Sequence, residues 1–118
     1  MLEPGRGGDV VDGGEGIDTI TFANLERPVA VDLLAGFSTG SGSKTVLAIE
    51  NIIGSKFGDV LRGDNGPNTI LGGDDGDLIE GSGGDDMLDG QAGYDTLDGG
   101  PGTDLCSNAE SKSECESS

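Results

Sequence analysis

Six residues with oxygen-bearing side chains stand nine positions apart: Asp59, Asn68, Asp77, Asp86, Asp95 and Asp104. Read in nines from Gly54, the chain gives GSKFGDVLR, GDNGPNTIL, GGDDGDLIE, GSGGDDMLD, GQAGYDTLD and GGPGTDLCS, ending at Ser107. The six oxygen donors fill the sixth column. Gly fills the first column in all six blocks, and Leu61, Ile70, Ile79, Leu88, Leu97 and Cys106 fill the eighth. The fourth is Gly in four of six, with Phe57 and Asp75 the exceptions. Oxygen donors repeated at one place in a turn are the raw material of a hard-cation site.

Two further blocks lie near the start, PGRGGDVVD and GGEGIDTIT, with Asp9 and Asp18 in the sixth column. The register then breaks for the 32 residues from Phe22 to Ile53. Within them Val29–Leu34 and Val46–Ile53 have strand composition, split by a Gly/Ser/Thr loop from Gly36 to Thr45. Thr45 to Ile53 reads as a degenerate repeat with Glu50 in column six and Ile52 in column eight. The chain divides accordingly into two repeats (4–21), an insertion of irregular coils (22–53), six repeats (54–107) and a C-terminal cap or tail (108–118).

The elements that must position these residues follow from one block. Glycines at columns one, two and four allow positive φ and a sharp turn. The last three residues form a short strand whose eighth column points inward. Three residues are no stable strand alone, so neighbouring coils must pair with them. Two blocks make one coil, and same-side blocks are 18 residues apart. The sixth-column side chains then stack into two ladders with a spacing of about 4.8 Å. One holds Asp59, Asp77 and Asp95; the other holds Asn68, Asp86 and Asp104, with Glu50 as its candidate extension.

Carboxylates at that spacing repel. From Gly63 to Ser111 there is no Lys or Arg, against twelve acidic side chains. A divalent cation can quench the ladders where the protein's own cations cannot. Ca²⁺ takes roughly six to eight oxygens in irregular geometry, whereas Mg²⁺ demands a tight octahedron. Zinc is disfavoured in a chain with no His and two Cys.

The pattern GGxGxDxUx, with U a large aliphatic residue, resembles the calcium-binding nonapeptide of the repeats-in-toxin (RTX) family, strongly over Gly54–Ser107 and moderately over Pro4–Thr21. The stretches TFANLERPVAVDL and IENIIGSKFGDVLRGDNGPNTI also resemble the longer coils that flank such repeats. The resemblance implies an all-β, right-handed parallel β-roll or β-helix solenoid, with Ca²⁺ between same-side turns. Carried over, it implies about four ions in the main block, between Asp59 and Asp77, Asp77 and Asp95, Asn68 and Asp86, and Asp86 and Asp104. Asn68, a neutral amide, implies a weaker site. Asp75 can adopt a left-handed turn; Phe57 cannot cheaply, so the turn before Asp59 should differ. Asp9 and Asp18 have no acid 18 residues on, where Arg27 and Gly36 stand. Their sites need a ligand from the insertion, with Asp32 a candidate.

Composition sets the rest. Six basic against 23 acidic residues give a net charge of −17, which excludes a nucleic-acid footprint. No apolar run nears the ~20 residues of a membrane span. One aliphatic residue per nine is too thin a core to offset backbone ordering, so folding is expected to depend on the metal. Cys106 and Cys115 fit either a disulfide closing the last coil or two free thiols, with Cys106 a small core residue. The tail resembles the Cys-containing endings of some secreted bacterial calcium-binding repeat proteins, and an extracellular setting is expected. MLEPGRGGD has no apolar signal core, which suggests a mature form or a fragment.

Catalysis is not expected. The EF-hand spacing fails at every candidate, such as Asp64 with Gly66 two residues on. No Lys follows Gly81–Gly84 to cradle a phosphate, paired carboxylates are everywhere, no His exists for a triad, and Tyr94 falls in a variable column. The expected role is a structural or adhesive calcium-binding segment. Alternatives are a subunit that self-associates end to end into a filament, or the non-catalytic tail of a secreted enzyme.

Overall fold

A computed structural model describes residues 10–23, 27–39, 44–109, 111–113 and 115. The described residues form thirteen strands and no helix. The strands are β1 (Val10–Asp12), β2 (Thr19–Thr21), β3 (Ala30–Asp32), β4 (Phe37–Thr39), β5 (Lys44–Leu47), β6 (Asn51–Ile53) and β7 (Val60–Arg62). After them come β8 (Thr69–Leu71), β9 (Leu78–Glu80), β10 (Met87–Asp89), β11 (Thr96–Asp98), β12 (Leu105–Ser107) and β13 (Ser111–Ser113). All but β5 are three residues long, and from Val60 to Ser107 each is the last third of a nonapeptide.

Successive strands alternate between two sheets. One has five strands, in the order β12-β10-β8-β6-β2, all parallel. The other has eight, in the order β1-β5-β4-β3-β7-β9-β11-β13. Each strand's middle residue points between the sheets, so Ile20, Ile52, Ile70, Leu88 and Cys106 of one sheet line up with Leu61, Ile79 and Leu97 of the other, all fully buried. The eighth column is thus one continuous aliphatic seam. Registers such as Leu61↔Ile79 and Ile70↔Leu88 stack like on like.

The insertion departs from a parallel roll. β3 pairs in parallel with β7, but β4 runs antiparallel to both β3 and β5. These strands widen the eight-stranded sheet while the five-stranded sheet passes straight from β2 to β6. The expected strand over Val46–Ile53 is two strands, broken where Ala48 takes φ 54°. β4 lies inside the segment expected as loop. Its inward residue is Ser38 rather than an aliphatic, so no hydrophobic alternation marked it. Arg62 ties the insertion to the repeats, reaching Asp32 at 3.3 Å and Glu80 at 2.6 Å across neighbouring strands. Cys106 and Cys115 are disulfide-bonded, which fastens the segment carrying β13 to the last seam position.

Candidate metal sites in the stacked turns

Each strand is entered from a turn whose final residue is the sixth-column side chain, and pairing of the strands stacks these turns. At the entry to the eight-stranded sheet, Asp59, Asp77 and Asp95 form a ladder. At the entry to the five-stranded sheet the ladder runs Asp18, Glu50, Asn68, Asp86, Asp104. Asp59, Asn68, Asp77, Asp86, Asp95 and Asp104 are all buried. One carboxylate oxygen has the same task throughout: it accepts the backbone N–H of the sixth-column residue one coil earlier. Asp77 Oδ1 accepts from Asp59 at 2.8 Å, Asp95 Oδ1 from Asp77 at 2.8 Å, Asp86 Oδ1 from Asn68 at 2.9 Å and Asp104 Oδ1 from Asp86 at 2.7 Å.

The insertion does not break the second ladder. Glu50 Oε1 accepts the N–H of Asp18 at 2.8 Å, over 32 residues rather than 18. The residue facing Asp18 is therefore Glu50. Asp32, the candidate from sequence, is engaged by Arg62 instead. Above Asp59 the insertion places no acid but Val29, whose N–H donates to Asp59 Oδ1 at 2.9 Å. Asp9 lies outside the described residues.

The second oxygen is the chemically available one. Oδ2 of Asp18, Asp77 and Asp86 is buried and has no hydrogen-bond partner. Each folds back over the first-column glycine of its own block. A Cβ on Gly81 would stand 2.5 Å from Asp86 Oδ2 and 2.9 Å from the carbonyl oxygen of Gly99, one coil on. At Gly72 the neighbours are Asp77 Oδ2 and the Gly90 carbonyl; at Gly13 they are Asp18 Oδ2 and the Ala48 carbonyl. These first-column glycines do not take positive φ, contrary to expectation; columns two and four do, as at Gly73 (92°) and Asp75 (65°). The first column must be Gly because the carboxylate and the next coil's carbonyl already fill the space of a side chain.

Burial pushes Asp77 up to about 8 against the pull of its backbone hydrogen bond, with the charges of Asp59 and Asp95 adding to the rise. Burial likewise raises Asp86 to about 7, with Asp104 adding to it. Asp59 is also raised by burial, opposed by its bonds from Ser55 and Val29. With no cation at hand, a proton is what relieves these carboxylates.

A buried, unpartnered carboxylate oxygen beside a backbone carbonyl fits a hard cation. No three acidic, His or Cys side chains converge on one point among the described residues, so backbone carbonyls must complete any coordination shell, as Ca²⁺ permits. The Asp residues at 59, 77, 86, 95 and 104 were legible from their period. The Ala48 carbonyl was not, because a backbone ligand leaves no mark of residue type.

Short parallel strands stacked in two sheets, entered through glycine-rich acidic turns, define a repeat solenoid of the calcium-binding kind. The model of the RTX calcium-binding nonapeptide repeat matches in four copies, over residues 5–21, 53–88 and 80–107. The matched residues make up more than half of the chain, which belongs to this family and is a calcium-binding β-roll module. No curated protein matches it.

Proposed function

We propose that this β-roll is an extracellular structural or adhesive segment that folds when it meets calcium. The ladders would hold the ions through Asp77, Asp86, Asp95 and Asp104, with Asp18 and Glu50 as a further pair. Calcium would supply the positive charge that lets neighbouring buried carboxylates stay ionised. The chain's own residues set the spacing: Oδ1 is committed to the backbone of the preceding coil, which holds Oδ2 over the glycine and beside the next coil's carbonyl. The observation that carries this reading is the buried, unpartnered Oδ2 of Asp77 and Asp86.

Secretion is supported by the disulfide, which persists in oxidising compartments, and by the millimolar calcium found outside cells. Native mass spectrometry tests the reading. The chain in calcium should carry several bound ions, and Asp77→Asn and Asp86→Asn should each reduce the number. An unchanged count in both variants would refute the assignment.

A second reading has one observation in its favour. β2 and β12 end the five-stranded sheet, so their outer edges are available to pair with another chain. End-to-end stacking of copies would give a filament. Sizing in calcium separates the two readings: monomers at every concentration would remove the filament.

A further inference from the structure

The repeats adopt two turn conformations, and only one of them leaves a carboxylate oxygen to bind an ion. In the turns starting at Gly13, Gly72 and Gly81 the second-column residue is left-handed: Gly14 at φ 77°, Gly73 at 92° and Ser82 at 67°. That rotation turns its N–H away from the block's own aspartate, and Oδ2 of Asp18, Asp77 and Asp86 has no donor. Gln91 (63°) and Gly100 (74°) share this backbone. In the turns starting at Gly54 and Gly63 no residue takes positive φ. Here the second-column N–H points inward. Ser55 N donates to Asp59 Oδ2 at 2.7 Å, and Asp64 N donates to Asn68 Oδ1 at 3.0 Å.

The closed turns are satisfied throughout by the protein. Asp59 Oδ1 also accepts from Ser55 Oγ at 2.7 Å and from Val29 N at 2.9 Å. Asn68 Nδ2 donates to the Glu50 carbonyl at 2.7 Å and to Asp64 Oδ1 at 3.1 Å, so an N–H stands where the open turns present an oxygen. Ser55 Oγ and Asp64 Oδ1 hold the turn backbones through Phe57 N and Gly66 N. An ion entering either turn would have to displace these bonds.

We infer that Asp59 and Asn68 do not ligate calcium, and that the coil from Gly54 to Leu71 is a metal-independent joint between the calcium-holding repeats and the insertion. This rests on the reading of the open turns as calcium sites. It deepens that reading by dividing one run of six repeats into two closed and four open turns. The joint sits where the insertion lands: Asp59 meets Val29, Asn68 meets Glu50, and Arg62 reaches Asp32. It would give the ion-filled coils a preformed edge to build on.

Ion counts by native mass spectrometry on the full chain in calcium test the division. Asp59→Asn should bind as many ions as the unaltered chain, whereas Asp77→Asn binds fewer. Loss of an ion in Asp59→Asn would overturn the inference. If that variant gives no circular dichroism change with calcium and so does not fold, the double variant Ser55→Gly with Phe57→Gly decides. It makes columns one, two and four of that block glycine, permits the left-handed turn and frees Asp59 Oδ2. One additional ion is expected; an unchanged count would overturn the inference. An unaltered chain that binds no ion would sink the calcium reading itself, a separate outcome from either.

Discussion

Asp77 uses its two carboxylate oxygens for different purposes, and Asp59 shows the division: Asp77 Oδ1 accepts the Asp59 N–H at 2.8 Å, while Asp77 Oδ2 is buried and has no donor. The first bond sets the spacing between coils; the second oxygen leaves a demand that only a proton or a cation can meet. Because the arrangement recurs at each coil, strand stacking and ion binding are one process.

The first-column glycines should tolerate no side chain where the open turns close over them. Gly81→Ala would drive a methyl group into Asp86 Oδ2 and the Gly99 carbonyl. It should weaken calcium-induced folding by at least tenfold in calcium midpoint, about 1.4 kcal/mol. Gly66→Ala is the matched control, because its nearest neighbour would be Asp64 Oδ1 at 3.4 Å and its φ is not positive; it should stay within about 1 kcal/mol of the parent. Calcium titrations followed by circular dichroism compare the two.

Acid should partly replace calcium. Asp77 and Asp86 have folded-state values of about 8 and about 7, above the usual carboxylate range. A raised value means that the folded form holds the proton more tightly. The associated stability is full at acidic pH and is lost as pH rises through these values. Without calcium, the β signal should therefore be larger near pH 4.5 than at pH 8 (values chosen to bracket the two groups, roughly one unit or less beyond them in effect). Asp77→Asn, a neutral mimic, should blunt the difference. A metal-free spectrum that does not change across this range would contradict the electrostatic argument.

The seam should behave as a core despite its thinness. Leu88 is fully buried between Ile70 and Cys106 of the neighbouring strands. Leu88→Ala should cost about 2–5 kcal/mol, read as a lower melting temperature in saturating calcium. The exposed Met87 beside it should tolerate alanine with little loss.

The disulfide should hold the C-terminal end. Joining Cys106 to Cys115 shuts a short loop that carries β13 onto β11. Reduction should destabilise the calcium-loaded chain by roughly 2–4 kcal/mol. Melting with and without a reductant measures it, and identical curves would refute a stabilising role.

Much of this was readable in the residues. The nine-residue period placed β7 to β12, their inward column and the stacked acids, because periodic burial and periodic chemistry both leave residue-type marks. Asp75 was correctly expected to turn left-handed, and Phe57 to alter its turn. What could not be read depends on pairing over distance. The antiparallel β4 turns inward a serine, so it resembles a loop. Glu50 faces Asp18 only because the insertion loops out into one sheet and leaves the other continuous. The closed turns depend on whether an N–H points in or out, which follows from φ at column two rather than from the presence of an acid at column six.

The most direct test is a calcium titration of the metal-depleted chain, followed by far-ultraviolet circular dichroism at neutral pH. The spectrum should pass from a disordered to a β-rich form within the range of extracellular calcium affinities. A spectrum that stays the same up to ~10 mM calcium, beyond the weak end of that range, would contradict the coupling of these acidic turns to folding.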